Sequence, residues 1–311
     1  AVASRRRVAL LIEATRSYAR GLIRGVARYN REHQGWSIHF MPQGLGEPPP
    51  KWLAKWEGDG ILARIDDRAM ADAVLATGLP VVELRRLNLE LGLPTIGPDH
   101  GAMASLGAEH LRQRAFQHFA FCCSPRGTHP TTDALAESFV QSFAQTGTTC
   151  KVLYLPRGRR AGSGEDQLDA IRRWLIRLPK PVGVMACNDD RALQVLEACR
   201  RNGMRVPDEV GVVGVGNDDC LCNLALPSLT SIDLNPQRIG YEAAELLDHL
   251  MNGGQAPQQN TLVAPRGIAM RLSSDVLATD DQAVVMAISY IREHACERIQ
   301  VNDVLHHAKM S

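Results

Sequence analysis

The stretch VGVMACNDDRA at 182–192 decides the fold. It opens on a short apolar run of β-branched and small residues and closes on Asn188, Asp189 and Asp190. A buried strand that turns directly into a helix reads this way. ALQVLEACRRNG (192–203) supplies that helix, and Gly203 ends it. The same grammar repeats along the chain. RVALLIEA (7–14) is an apolar run, and RSYARGLIRGVARYNREH (16–33) follows it. Tyr18, Leu22, Val26 and Tyr29 recur there every three or four residues, which is one face of an amphipathic helix ending at Gly35. WSIHFMP, GILARI, PVVEL and TIGPD continue a first series of strands, and FQHFAFCC, KVLYLP, VGVMACND and EVGVVGVG make a second. Helical stretches such as HGAMASLGAEHLRQR and LDAIRRWLIRL separate them. Strands alternating with helices predict parallel sheets covered on both faces. Two series predict two lobes.

Beyond Leu229 the pattern shortens. QRIGYEAAELLDHLMNGG (237–254) reads as a late helix and LVAPRGIAMRLSS (262–274) as a final strand pair. These returns predict several crossings between lobes, which act as hinges. The expected first lobe is about 5–105 and 234–258, and the second about 106–231 and 259–276, within a domain spanning 1–276. VLATDDQ (276–282) marks a boundary. After it, 280–311 form a separate helical module in which capping residues precede Val284, Ile288, Ile291 and Ala295 on one face.

Of the 311 residues, 45% are hydrophobic and 22% charged, an ordinary globular composition. A net charge of +1 provides no global field for nucleic acid or membrane. Eight cysteines without a CxxC pair argue for reduced, buried thiols in the cytoplasm and against zinc. The N-terminal VALLI is too short for a signal h-region, and no run approaches a membrane span. GVVGVG does not follow G-x-G-x-x-G and no phosphate-binding P-loop occurs, so no cofactor and no metal are expected. The carboxylate pairs at 189–190 and 218–219 lie on single turns, poorly suited to flank a scissile bond.

Several passages together, in this order and spacing, carry a resemblance. VALLIEATRSYARGLIRGV, DGILARID, VMACNDDRA, RVPDEVGVVGVGND and LTSIDLNPQRIGYEAAELL resemble the effector-binding domain of the LacI/GalR repressors over residues 5–275. DDQAVVMAISYIREHACERIQVNDVLHHAKMS resembles the opening of an AraC-type DNA-binding domain. The combination is similar to the xylose-operon activators. It implies an α/β, periplasmic-binding-protein-like (type I) domain with parallel sheets, followed by an incomplete helix-turn-helix domain. It also implies a regulator that is not an enzyme. Its partners would be a small sugar, a pentose such as D-xylose, operator DNA contacted through residues beyond 311, and a second copy in a homodimer, with no membrane. Lys309 would occupy the turn of the first helix-turn-helix and Ser311 the cap of its recognition helix. Residues 280–311 carry three cations against five acids, so the phosphate-neutralising charge is expected downstream. A cytoplasmic sugar-binding protein, or an enzyme acting on a sugar in the same cleft, remain the alternatives.

In such a fold ligands sit at the carboxyl ends of the strands, between the lobes. Those positions hold Glu13, Arg16, Tyr18, Arg64 and Asp66 in the first lobe, and Asn188, Asp189, Asn217 and Asp218 in the second. Planar polar groups of this kind both accept from and donate to sugar hydroxyls. Asp67 and Asp190 read as helix caps. Leu135 and Gly216 stand where the family tends to have an arginine and an aspartate, which removes two groups that would grip hydroxyls.

Overall fold

The computed structural model describes residues 5–42, 44, 46–85, 91–114, 116–144, 147–157, 164–276, 282–294 and 296–309. The first sheet holds β1 (Arg6–Leu11), β2 (Trp36–Phe40), β3 (Gly60–Ala63) and β4 (Val81–Glu83), all parallel, in the order β2-β1-β3-β4. Its strands are apolar on both faces because both are covered. Val8 and Leu10 of β1 pack with Leu22 and Val26 of α1 (Ser17–His33), whereas Ala9 and Leu11 pack with Met70 and Val74 of α2 (Arg68–Leu75). α1 ends at Gln34 (φ 51°) rather than Gly35, the left-handed cap falling one residue earlier than the glycine suggested.

The second sheet runs β12-β10-β9-β8-β6-β7. It comprises β6 (His118–Cys123), β7 (Cys150–Tyr154), β8 (Val182–Ala186), β9 (Val210–Val215), β10 (Thr230–Asp233) and β12 (Gly267–Ala269). All pairs are parallel except β10–β12. α6 (Asp189–Arg201) follows β8 directly. The two strands of LVAPRGIAMRLSS do not pair with each other. β11 (Thr261–Val263) pairs in parallel with β5 (Ile96–Pro98), itself bridged to the first sheet through Glu83 and Thr95, while β12 edges the second sheet.

The chain therefore passes between the sheets three times. β5 leads into α3 (His100–Gln113), which packs Gly107 against Met185 and Ile232. β10 leads into α8 (Pro236–Met251), which lies on the first sheet with Ile239, Ala243 and Leu247. β11 leads into β12. The α1–α8 contact is close enough to need glycine. A Cβ on Gly25 would lie 2.1 Å from the Gln237 carbonyl oxygen, and one on Gly240 2.1 Å from that of Leu22.

A 3-10 turn at Leu272–Ser274 precedes the C-terminal helices α9 (Gln282–Glu293) and α10 (Val301–His307). Gln300 and Asp303 form a reciprocal capping box at α10, and Tyr290 of α9 stacks on His307 at 4.7 Å. Ile291 is largely exposed, and Val304 and Leu305 are half-buried. Lys309 has φ 52°, the left-handed geometry of a turn after α10. Ala295 and Ser311 lie outside the described residues. Among the described residues no helix is long and apolar enough to cross a membrane.

Candidate functional site

A cleft of about 560 Å³ opens where the strand ends of the two sheets face each other. Of the residues expected at the strand ends, Arg16, Tyr18, Arg64, Asn188, Asp189 and Asp218 line it; Glu13, Asp66 and Asn217 do not. Each of those three instead holds a neighbour. Glu13 is 5% exposed, and its carboxylate accepts from Arg64 Nη1 (2.6 Å), the Thr15 hydroxyl (2.6 Å) and the Thr15 and Arg16 amides. Burial pushes this carboxyl up, but the Thr15 hydroxyl and Arg64 outweigh it and hold the group below its usual range. Arg16 has no side-chain cap of its own at the start of α1, so Glu13 satisfies that loop. Asp66 is ion-paired to Arg85, which does line the cleft. Asn217 sits at φ 51° and accepts from Arg271 Nη2 at 3.0 Å.

Asp189 is 3% exposed at the start of α6. Its Oδ1 accepts from Ser231 Oγ at 2.5 Å and its Oδ2 from the Asp218 amide at 2.8 Å. Burial raises its pKa, with the Ser231 hydroxyl opposing. The carboxylate reaches β10 by crossing above β9, and only glycine permits this. A Cβ on Gly214 would lie 2.4 Å from Oδ1, and one on Gly216 3.0 Å from Oδ2. Asn188, not Asp190, caps α6, accepting from the Arg191 amide. Asp190 points outward and meets Arg16 at 3.4 Å across the mouth of the cleft. Asp67 caps α2 as expected.

Sequence reasoning missed Arg20, Arg85, His100 and His129, which also line the cleft. Arg85 follows Leu84 at the end of β4, so the rule that found Arg64 could have found it. Burial, then Arg64 and Arg16, push Arg85 down to about 10. His129 is the residue before Pro130 at the start of α4 (Pro130–Gln141), and burial, then Arg85 and Arg16, lower its pKa. The Tyr18 ring lies under the Arg64 guanidinium at 5.7 Å, and burial pushes its hydroxyl up to about 12. Leu135 reaches the cleft at its apolar floor while packing, 2% exposed, among Phe121, Phe139 and Phe143.

A model of periplasmic binding protein-like domains matches residues 108–274, more than half of the chain. The chain belongs to that family. A second model, the XylR N-terminal domain, matches residues 7–86. The xylose operon regulatory protein of Escherichia coli K12 is 28% identical over 306 residues, 97% of this chain and 78% of that protein. Its counterpart in Haemophilus influenzae is 28% identical over 98% of this chain and 80% of that protein. A solved structure of the xylose-binding transcription activator xylR aligns with a TM-score of 0.80 at 27% identity, covering 99% of this chain and 80% of that one. The likeness thus runs through the cleft and on into α9 and α10.

Proposed function

We propose that this chain is the sensor portion of a sugar-responsive transcription regulator. A small sugar, with D-xylose the first candidate, binds between the lobes through Arg16, Tyr18, Arg64, Asn188 and Asp218. Glu13, Asp66 and Asp189 hold the groups that touch it. The cleft that draws polar side chains from both sheets carries this reading, supported by xylose regulators aligning along nearly the whole chain. Binding favours a state in which the lobes approach, by the sugar's extra affinity for that state. Arg16 and Asp190 already meet across the cleft, and the three inter-lobe passages serve as hinges. The closed lobes then present a C-terminal AraC-type module, begun by α9 and α10, to operator DNA, in a homodimer and in the cytoplasm. The absence of any disulfide among the eight cysteines agrees with a reducing compartment. The arrangement is one of recognition, and the transcription regulators it resembles favour a binder over an enzyme.

Calorimetry with D-xylose tests the site on the wild type, Arg64→Met and Asn188→Ala. The expected result is a saturable heat that weakens about tenfold or more in Arg64→Met, which loses a charge-assisted hydrogen bond, and by up to about tenfold in Asn188→Ala, which loses a neutral one. Unchanged affinity in both variants overturns the site, and no heat with D-xylose or any other sugar, charged or neutral, overturns the sensor reading.

A further inference from the structure

The first-lobe wall of the cleft is built from hydrogen-bond donors. Arg16, Arg20, Arg64 and Arg85 all line it, and a guanidinium has five N–H donors and no acceptor. The acids behind them are already engaged. Glu13 takes one N–H of Arg64 together with three donors of its own loop, and Asp66 takes Arg85. Among the described residues Arg20 donates to the Ala14 and Thr15 carbonyls, and Arg64 Nε is buried there without a partner.

The opposite wall holds the remaining acceptors, the second oxygens of Asp218 and Asp190 and the Thr131 and Thr132 hydroxyls among them. Both oxygens of Asp189 are taken by Ser231 and the Asp218 amide, and Asp218 Oδ1 takes the Cys220 and Leu221 amides at the start of α7 (Asp219–Leu224). Asp190 stands at the exposed rim with Arg16. Each hydroxyl of a neutral sugar brings a proton that needs an acceptor, and the carboxylates of the first-lobe wall are turned to their own arginines and loop. A carboxylate or phosphate brings acceptors alone and forms the stronger, charge-assisted bond. The cations are also crowded. Arg64 and Arg16 add to burial in lowering the pKa of Arg85, and the same arginines act on His129 from across the cleft. A negative charge among them relieves that repulsion.

We propose that the preferred ligand is an anionic sugar, a pentose carrying a carboxylate or a phosphate, with its charge seated against Arg64 and Arg85. The proposal rests on the sugar-binding reading of the cleft and narrows it to a chemical class. The ring hydroxyls then lie toward Asn188 and the Asp218 loop, where amide groups can both donate and accept.

The experiment is calorimetry on the full chain with D-xylose, D-xylonate and D-xylulose 5-phosphate, at low and high salt. At least one charged ligand is expected to bind about tenfold more tightly than D-xylose, as one added charge-assisted contact implies. That advantage is expected to shrink at high salt. A gain with D-xylonate assigns the carboxylate source and a gain with the phosphate ester assigns the other; either supports the proposal. Arg64→Gln is expected to weaken the charged ligand more than D-xylose, and Arg64→Lys to retain part of the preference. Arg20→Gln, which leaves the buried pairs intact, gives the same reading if Arg64→Gln fails to fold. D-xylose binding as tightly as both charged sugars overturns the proposal and leaves the sensor reading standing. Binding of none of the three overturns the proposal outright, and neutral sugars other than D-xylose then decide the sensor reading.

Discussion

Asp189 is a clamp within the second lobe. It joins α6, β10 and the loop after β9 through two short hydrogen bonds in a nearly closed space. Asp189→Ala strands the Ser231 hydroxyl and the Asp218 amide, so a loss of about 1–3 kcal/mol is expected, read by urea unfolding. Gly216 is tied to the same carboxylate. Its φ of 131° belongs to glycine, and a side chain there meets Asp189 Oδ2. Gly216→Asp therefore does not recover a sugar contact. It is expected to cost about 1–3 kcal/mol in backbone strain alone and to bind D-xylose no better by calorimetry. Leu135→Arg fails for a different reason, since it places a charge among three phenylalanines. A fall in melting temperature with no gain in sugar affinity is the expected outcome. Leu135 and Gly216 are thus built into the packing around them, which a linear reading of positions 135 and 216 had no means of seeing.

At the scale of elements, period and punctuation made most of the fold legible. Val8 to Leu11 alternate between two cores, and Tyr18 to Tyr29 recur at helical spacing. Strand ends located Arg64, Asn188 and Asp189, because the topology brings all strand ends of a lobe to one edge. What stayed hidden were links between elements far apart in sequence. Ser231 reaches Asp189 over β9 only because Gly214 has no side chain, and β11 passes over its sequence neighbour β12 to pair with β5. Asn217 fitted the strand-end rule, yet its αL backbone turns its side chain toward Arg271. The α1–α8 contact makes a prediction of its own. Gly25→Ala drives a methyl into the Gln237 carbonyl, and overpacking of this kind is expected to cost about 1–3 kcal/mol or more. Gly164→Ala, at the start of α5 (Gly164–Arg177) with no atom of the described residues within 4 Å of a Cβ there, is expected to be neutral or to stabilise by up to about 1 kcal/mol. Thermal melts of the pair, side by side, check this.

For the whole molecule, acid sensitivity follows from His110. Its Nε2 is 2.8 Å from the Ser274 hydroxyl in a buried contact joining α3 to the turn before the C-terminal helices. Burial, then Arg114, push its pKa down to about 4, below the ordinary 6.5 of histidine. The unfolded chain takes up that proton first. The stability held by neutral His110 is therefore complete above pH 6.5 and is lost as pH falls toward 4. Between neutrality and pH 5 the wild type is expected to lose on the order of 1–2 kcal/mol more than His110→Asn, measured by urea unfolding across a pH series. The seating of α8 on α1 has a further consequence, for the order in which the protein can be made. α1 emerges early from the ribosome, yet the helix that covers it is encoded some two hundred residues later, after nearly all of the second lobe. The first lobe must therefore wait through the synthesis of most of the second with the apolar stripe of Leu22, Val26 and Tyr29 uncovered. The second sheet, whose parallel strands β6 to β10 are complete before α8 appears, is free to fold ahead of it. In the cell the lobe begun first therefore stays open while most of the other is made, and chaperone dependence should fall on the first lobe.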